Sequence, residues 1–526
     1  MSKPMSKQSL LSGQPEPQER DSEPGARGET SSTSNLASRR GFLKSSTAGL
    51  VVGALAGGAA VPSTLAAQNA PAPADSGASG RRILLQGGIV LSMDPQVGDF
   101  ERGDVLIEGK KILAVGPGLS ASGAARGAAM IDATDRIVLP GFIDTHFHHY
   151  QTVLRGIISD GLLAADYNRL ITNPNGLTLY FQPEDAYAGV LLASVSQIRA
   201  GVTAAIDLSQ VQNSPAHTDA CIAAFRESGR RAVFAYSRGF GPGSRYPQDV
   251  TRLRSQYFSS DDQLLTLALN GGLERNNWEL ARQTGVPIID HVTNPTAVGN
   301  LEAFGRAGLM RSDNTYIHCI SFTPTTWQMV RDTGGRISIS PIIEMAMGHG
   351  TPVFQEALDR GIRPSLSSDV EPVLAADMFT MMRSAFSLQR MFINERASRG
   401  ERNLPARLTC RDVIEFATIQ GARAAQLDHK VGSLTPGKEA DILLLRADEL
   451  NVLPLNDAPG AVVNFMDTSN VDTVLIAGKV MKWKGNIVGV DQRRLRRLAE
   501  RARDGILARA RHSRNLFETC CPHGTG

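Results

Sequence analysis

Lysine is missing from the whole middle of this chain: none occurs between Lys111 and Lys430. A metal pair bridged by a modified lysine therefore cannot be built anywhere in that stretch. Cysteine is scarce as well. Cys221, Cys319, Cys410, Cys520 and Cys521 are scattered without a CxxC pair, so neither a zinc ribbon nor a disulfide framework is indicated. Charge of either sign is nearly cancelled, 55 basic residues against 52 acidic for a net +3, which leaves no whole-protein argument for nucleic acid or a membrane surface. A long hydrophobic run is also lacking. The most apolar segment, Thr47–Val61, is diluted with Gly and Ala and falls short of the roughly 20 apolar residues a bilayer span needs.

What is present divides into a leader and a large folded part. Residues 1–37 are rich in Ser, Pro, Gly, Gln and Glu, a composition that cannot bury enough apolar surface to order itself. Next comes Ser38-Arg39-Arg40-Gly41-Phe42-Leu43-Lys44, then an uncharged stretch to Ala74 with small residues at Leu65-Ala66-Ala67. Paired arginines ahead of a mildly apolar segment resemble a twin-arginine export signal. The resemblance implies an exported protein, periplasmic or extracellular, with the twin-arginine machinery as a partner. Loss of residues 1–67 removes seven basic and five acidic residues and lowers the net charge from +3 to +1. Residues 1–80 are thus expected to be leader and linker.

From Arg81 the pattern becomes short β-type runs at 83–86, 89–93, 104–108, 112–115 and 130–132, punctuated by Gly and Pro. Similar runs return at 440–445 and 471–476. One small β-sandwich domain, built from 81–136 and 428–490, is expected around an inserted unit. Between them, apolar strands alternate with helical stretches: 137–142, 203–207, 232–236, 265–270, 287–291, 316–318, 336–340 and 363–367. Eight such units predict an α/β fold, a TIM (β/α)8 barrel over 137–427 with its site at the C-terminal strand ends. The tail, 491–526, begins with a helix whose nine arginines between Gln492 and Arg514 alternate with Leu and Ala. It is expected to pack an apolar stripe on the protein and solvate its charges.

The titratable residues fall at those strand ends. Residues two apart on a strand face the same way, so His146 and His148 aim at one point. The fifth strand ends in Asp290-His291, the sixth in His318, and the eighth runs into Ser367-Ser368-Asp369. Three histidines and a carboxylate there suit a divalent ion with a position left for water. His146, His148, His291 and Asp369 are the expected ligands, zinc the expected ion, with iron or manganese compatible with the same donors. His149, His217, His349, His429, His512 and His523 are read as structural.

PGFIDTHFH at 140–148, IIDHV at 288–292, YIHC at 316–319, SLSSD at 365–369 and VGSLTPGKEADILLL at 431–445 resemble the amidohydrolase superfamily. Within it, the chain is similar to the deaminase and chlorohydrolase branch. The resemblance spans about residues 81–490 and implies one metal ion and hydrolysis of a non-peptide carbon–nitrogen bond in a small, heterocyclic compound. Asp369 would carry the proton of the attacking water, and His318 would hydrogen-bond the centre under attack.

The chain also departs from that branch. Such deaminases carry HxxE after the fifth strand, with the glutamate protonating a ring nitrogen. Here the run is His291-Val292-Thr293-Asn294, and an asparagine contacts substrate without acting as an acid. Glu344, after the seventh strand, is the candidate for the missing acid or for a cationic-substrate contact; the alternative is a helix-terminal carboxylate. Amide, ring-opening or other leaving-group hydrolysis remains open, as does an inactive binding barrel. No nucleic acid or stable membrane anchor is expected, and homo-oligomerisation is left open.

Overall fold

The computed structural model describes residues 71–517. The arginine pair, Cys520, Cys521 and His523 lie outside them.

The chain enters through five strands, β1 (Arg82–Val90), β2 (Phe100–Glu108), β3 (Lys111–Gly116), β4 (Ala129–Asp132) and β5 (Arg136–Pro140). The eight strands of the barrel follow: β6 (Phe142–Phe147), β7 (Val202–Ser209), β8 (Arg231–Tyr236), β9 (Leu265–Leu269), β10 (Ile288–His291), β11 (Asn314–Ile317), β12 (Arg336–Ile339) and β13 (Ser365–Leu366). Each pairs in parallel with the next. Four more, β14 (Ile442–Arg446), β15 (Val471–Ile476), β16 (Lys479–Trp483) and β17 (Asn486–Ile487), return to the first group.

The first and last groups hydrogen-bond as one nine-stranded sheet in which β14 pairs with β5 and joins the two ends of the chain. The expected β-domain, built from both ends of the chain, is hydrogen-bonded as one sheet that forks at β1. Leu84 and Leu85 pair with β4, whereas Ile89 and Val90 pair with β5. Its own apolar core includes Ile83, Val105, Ile107, Val138, Ile442 and Leu475.

One expected barrel strand is corrected. The run 137–142 reads as a single apolar strand, but it is cut at Gly141. Residues before the cut belong to β5 in the outer sheet, and those after it open the barrel as β6. The cut falls on glycine because a Cβ there would lie 2.1 Å from the Thr203 hydroxyl. The barrel therefore begins at Phe142. The outer sheet is tied to it by Arg231, whose guanidinium donates to Glu439 at 2.7 Å and to both Asp441 oxygens at 2.9 and 3.0 Å.

Barrel helices start and stop on local chemistry. Asn294-Pro295 and Thr323-Pro324 each supply a side-chain cap followed by a proline at the first helical position, where its missing N–H costs nothing. Gly229, Gly285 and Gly334 end three helices in the left-handed conformation, which glycine adopts without strain. The barrel interior holds Ala204, Ile206, Val233, Ala268, Ile289 and Ile317. The closing seam is small and polar, with the Thr145 hydroxyl 2.7 Å from Ser338 Oγ and 2.8 Å from Ser365 Oγ.

The arginine-rich helix spans Gln492–Arg509 and buries Leu495, Ala502, Ile506 and Leu507. Arg494 pairs with Glu227 and Arg509 with Asp185, so this helix packs as its periodicity predicts. Among the described residues, no helix is long and apolar enough to cross a membrane.

Candidate metal centre and active-site cavity

Barrel closure itself builds the site. The end of β6 and the third residue past β13 form an isolated parallel bridge, Phe147 to Asp369. His148 N donates to Asp369 O at 3.1 Å and Asp369 N donates to His146 O at 2.9 Å. Two histidines and the aspartate are thus fixed by main-chain hydrogen bonds. Asp369 has φ 65° and His318 φ 66°, a region costly for residues with a Cβ and common where a side chain must be aimed at a site.

His146 Nε2 lies 2.9 Å from Asp369 Oδ1, His148 Nε2 3.6 Å from the same oxygen, and His318 Nε2 3.5 Å from Oδ2. The His291 ring centre is 4.7 Å from that of His146 and 5.7 Å from that of His148. His146, His148 and Asp369 form one group of converging donors, and His146, His291 and His318 another. Five of the seven expected residues, His146, His148, His291, His318 and Asp369, thus converge at the barrel mouth.

The residues fit a divalent cation on chemical grounds. Both ring nitrogens of His146 are buried without a hydrogen-bond partner; the contact of Nε2 with Asp369 lacks hydrogen-bond alignment. A buried imidazole left so is costly unless a ligand completes it. His148 Nδ1 donates to Leu208 O at 2.9 Å, fixing the tautomer so that Nε2 presents a lone pair inward. Burial lowers the proton affinity of His146, His148 and His291, to about 4 for His148, and neutral imidazole is the ligating form. Burial opposes ionisation of Asp369, yet the surrounding histidines hold it well below the usual carboxylate range.

His318 is set differently. Its Nδ1 sits 2.9 Å from Glu344 Oε1, and that hydrogen bond with the Asp369 and Glu344 charges raises its proton affinity against the opposing effect of burial. Glu344 is fully buried; the same Oε1 also accepts from Ser340 N at 2.8 Å. The expectation that Glu344 meets substrate is corrected: it lies behind His318, absent from the cavity wall, and holds the imidazole in place.

Asn294 is corrected too. It is exposed, its Oδ1 accepts from Ala297 N at 3.0 Å, and it caps the helix Pro295–Arg306. Its neighbour Thr293 lines the cavity and Asn294 does not.

The cavity above the histidines has a volume of about 310 Å³, at the small end of ligand sites. Its wall combines His148, His291, His318 and Asp369 with Leu163, Tyr167, Asn168, Thr172, Gln210, Phe240 and Met347. A wide helical segment, Leu163–Thr172, covers one side and is fastened by Leu163 N to Met347 O at 2.9 Å. His349, read from sequence as structural, belongs to this wall. Its ring centre is 4.7 Å from that of His318, and it groups with His318 and Asp369. The flanking Gly348 and Gly350 at the mouth of the seventh unit were the available signal. His149 is a core residue, its Nδ1 3.0 Å from Asp207 Oδ1 and its Nε2 3.1 Å from Arg230.

The chain is similar to known proteins over most of its length. The 5'-deoxyadenosine deaminase of Methanosarcina mazei is 26% identical over 460 residues, 81% of this chain and 99% of its own. The 5-methylthioadenosine/S-adenosylhomocysteine deaminase of Pelotomaculum thermopropionicum is 27% identical over 437 residues, 78% of this chain and 96% of its own. Among solved structures, an adenosine deaminase from Xanthomonas campestris with bound zinc superposes with TM-score 0.70 at 22% identity, covering 82% of this chain and 99% of that one. Atrazine chlorohydrolase from Arthrobacter aurescens, complexed with zinc, gives 0.68 at 20%, covering 80% and 100%. These two likenesses concern the fold. The amidohydrolase family model matches residues 137–258 and 275–481. With that match over the barrel and the returning strands, the chain belongs to the amidohydrolase family, hydrolases of carbon–nitrogen bonds.

Proposed function

We propose that the protein is a mononuclear metal-dependent hydrolase that releases ammonia from an amino-substituted aromatic heterocycle, a purine or its nucleoside being the leading class. The single observation that carries this is the convergence of His146, His148, His291, His318 and Asp369 beneath a small cavity that, among the described residues, has no lysine or arginine in its wall. The deaminase names of relatives matching nearly their whole length support it.

His146, His148, His291 and Asp369 would hold the ion, zinc by donor set. When bound, it supplies Lewis-acid activation of water at neutral pH. Asp369, ionised by its histidine surroundings, takes the proton of the attacking water and returns it to the leaving amine. His318, braced by Glu344, presents Nε2 to the heteroatom that gains negative charge as the ring carbon becomes tetrahedral. The segment Leu163–Thr172 shields the reacting atoms from bulk water.

One observation favours a second reading. Asn294 caps a helix at the surface, so no carboxyl acid stands at that turn to protonate a ring nitrogen. A leaving group needing no ring protonation, such as halide or alkoxide on a triazine-like ring, or an amide, then becomes the natural substrate. The experiment is a screen of zinc-loaded enzyme against aminopurines and their nucleosides, aminopyrimidines, halo- and alkoxytriazines and cyclic amides, with ammonia release measured beside product mass. Ammonia with an oxo product supports deamination. Turnover without ammonia moves the assignment to the second reading, and no turnover by metal-replete protein sinks both. We propose further that the protein acts outside the cytoplasm, supported by Arg39-Arg40 and the small-residue segment after them.

A further inference from the structure

A chain of hydrogen bonds beside the metal centre ends on a phenol hydrogen that has no acceptor among the described residues. Thr178 Oγ donates to Ile171 O at 2.7 Å, so its hydrogen is committed and its oxygen can only accept. Tyr150 Oη, 3.3 Å away, must therefore be the donor of that pair. Gln151 Nε2 then donates one hydrogen to Tyr150 Oη at 2.9 Å and the other to Tyr167 Oη at 2.7 Å. Both phenol oxygens act as acceptors. Tyr150 spends its own hydrogen on Thr178, whereas the hydroxyl of Tyr167 donates to no protein atom among the described residues.

The location gives this accounting its meaning. Tyr167 sits on the covering segment and lines the cavity with His318 and Asp369. Burial, then the neighbouring Tyr150 and Asp369, raise its proton affinity well above the usual phenol value, so the hydroxyl stays protonated and is a donor. Tyr150 and Gln151 lie two and three residues past the ligand His148 and are fully buried, so the phenol is registered to the metal centre through the chain. Among the described residues no lysine or arginine lines this cavity, which disfavours a carboxylate or phosphate as the acceptor.

We infer that Tyr167 is a substrate-contacting residue that donates a hydrogen bond to an uncharged acceptor, a ring nitrogen or a carbonyl oxygen, next to the scissile carbon, with Gln151 as its positioning residue. This contact supplies, as a neutral donor, part of what the carboxyl absent at Asn294 cannot. Only the nature of the acceptor rests on the hydrolase reading above; the direction of the phenol hydrogen does not.

Two arms test it. The first needs no substrate: a neutron structure of the metal-loaded protein. The expected result is the Gln151 amide nitrogen facing both phenols and an ordered water about 3 Å from Tyr167 Oη on the cavity side. Gln151 Oε1 facing both phenols, so that Tyr167 spends its hydrogen on it, overturns the inference. The second arm uses any compound the screen shows to be turned over. Tyr167→Phe should lower kcat/KM about 10-fold with an unchanged melting temperature, the size of one hydrogen bond to a buried acceptor. On an analogue with that acceptor nitrogen replaced by CH, wild type and Tyr167→Phe should be equal. Gln151→Glu, whose carboxylate would capture the phenol hydrogen, should reproduce the loss. Equal kcat/KM on the parent compound, or an undiminished difference on the CH analogue, overturns the assignment. Should nothing be turned over, the hydrolase reading falls and the neutron structure still decides the direction of the phenol.

Discussion

Glu344→Gln separates a residue that braces a catalytic imidazole from one that delivers a proton. Oε1 of Glu344 accepts from both His318 Nδ1 and Ser340 N, while Oε2 is buried without a partner. A glutamine keeps the shape and an acceptor oxygen, so both hydrogen bonds can persist as neutral ones. What is lost is the charge. Hydrogen bonds to charged groups are worth about 1.5–3 kcal/mol against about 0.5–1.5 for neutral ones, so His318 loses about 1.3 kcal/mol of restraint and polarisation. If all of it is felt in the transition state, kcat falls about 10-fold. KM should hardly move, because Glu344 is absent from the cavity wall. The exchange removes the burial cost of the carboxylate charge together with its attraction to His318, two opposing effects, so thermal stability should change little. Steady-state kinetics with a thermal melt on the same preparation gives all three readouts. A loss of about 100-fold or more would mark a lost general acid and refute the bracing role; a wild-type kcat would remove Glu344 from the mechanism.

Other outcomes follow from the same geometry. Asp369→Asn should abolish turnover while the fold survives, since the main-chain bridges of residue 369 to His146 and His148 do not need the carboxylate; circular dichroism beside kinetics checks both halves. Asn294→Ala should cost about 1 kcal/mol of stability through the lost helix cap and leave kcat/KM unchanged; a large kinetic loss would return Asn294 to the substrate site. Replacing Arg39 and Arg40 by lysine should hold the protein in the cytoplasm, as fractionation would reveal; unchanged export would point to another route.

Much of the site was legible because strand chemistry is local. Two histidines at alternate positions must share a face, and strand ends in an eight-fold barrel must share a rim, so spacing brings His146, His148, His291, His318 and Asp369 together, and the resemblance to the amidohydrolases singles out the ligands among them. The strand boundary at 137–142 was not legible: RIVLPGFIDTHF is one apolar run, and only the close approach of Thr203 to Gly141 explains the cut. Asn294 carries its role in the next residue, since Asn-Pro ahead of a helical stretch is a cap-and-start signal. Glu344 and His349 are not legible locally. Their roles depend on which residue of another βα unit, His318, packs against them, and spacing within one segment does not encode that. The covering segment with Tyr167 gave no signal, because a tyrosine amid mixed residues looks like core.

The most direct measurement is metal content set against ligand replacement. Purified, zinc-reconstituted wild-type protein, dialysed and analysed by plasma mass spectrometry, should hold about one divalent ion per chain. His146→Ala with His148→Ala should hold essentially none while remaining folded, and activity on the screened substrate should disappear with the ion and return on its readdition only in the wild type. A folded wild-type protein that retains well under one ion per chain, or a double variant that binds as much as the wild type, would contradict the account.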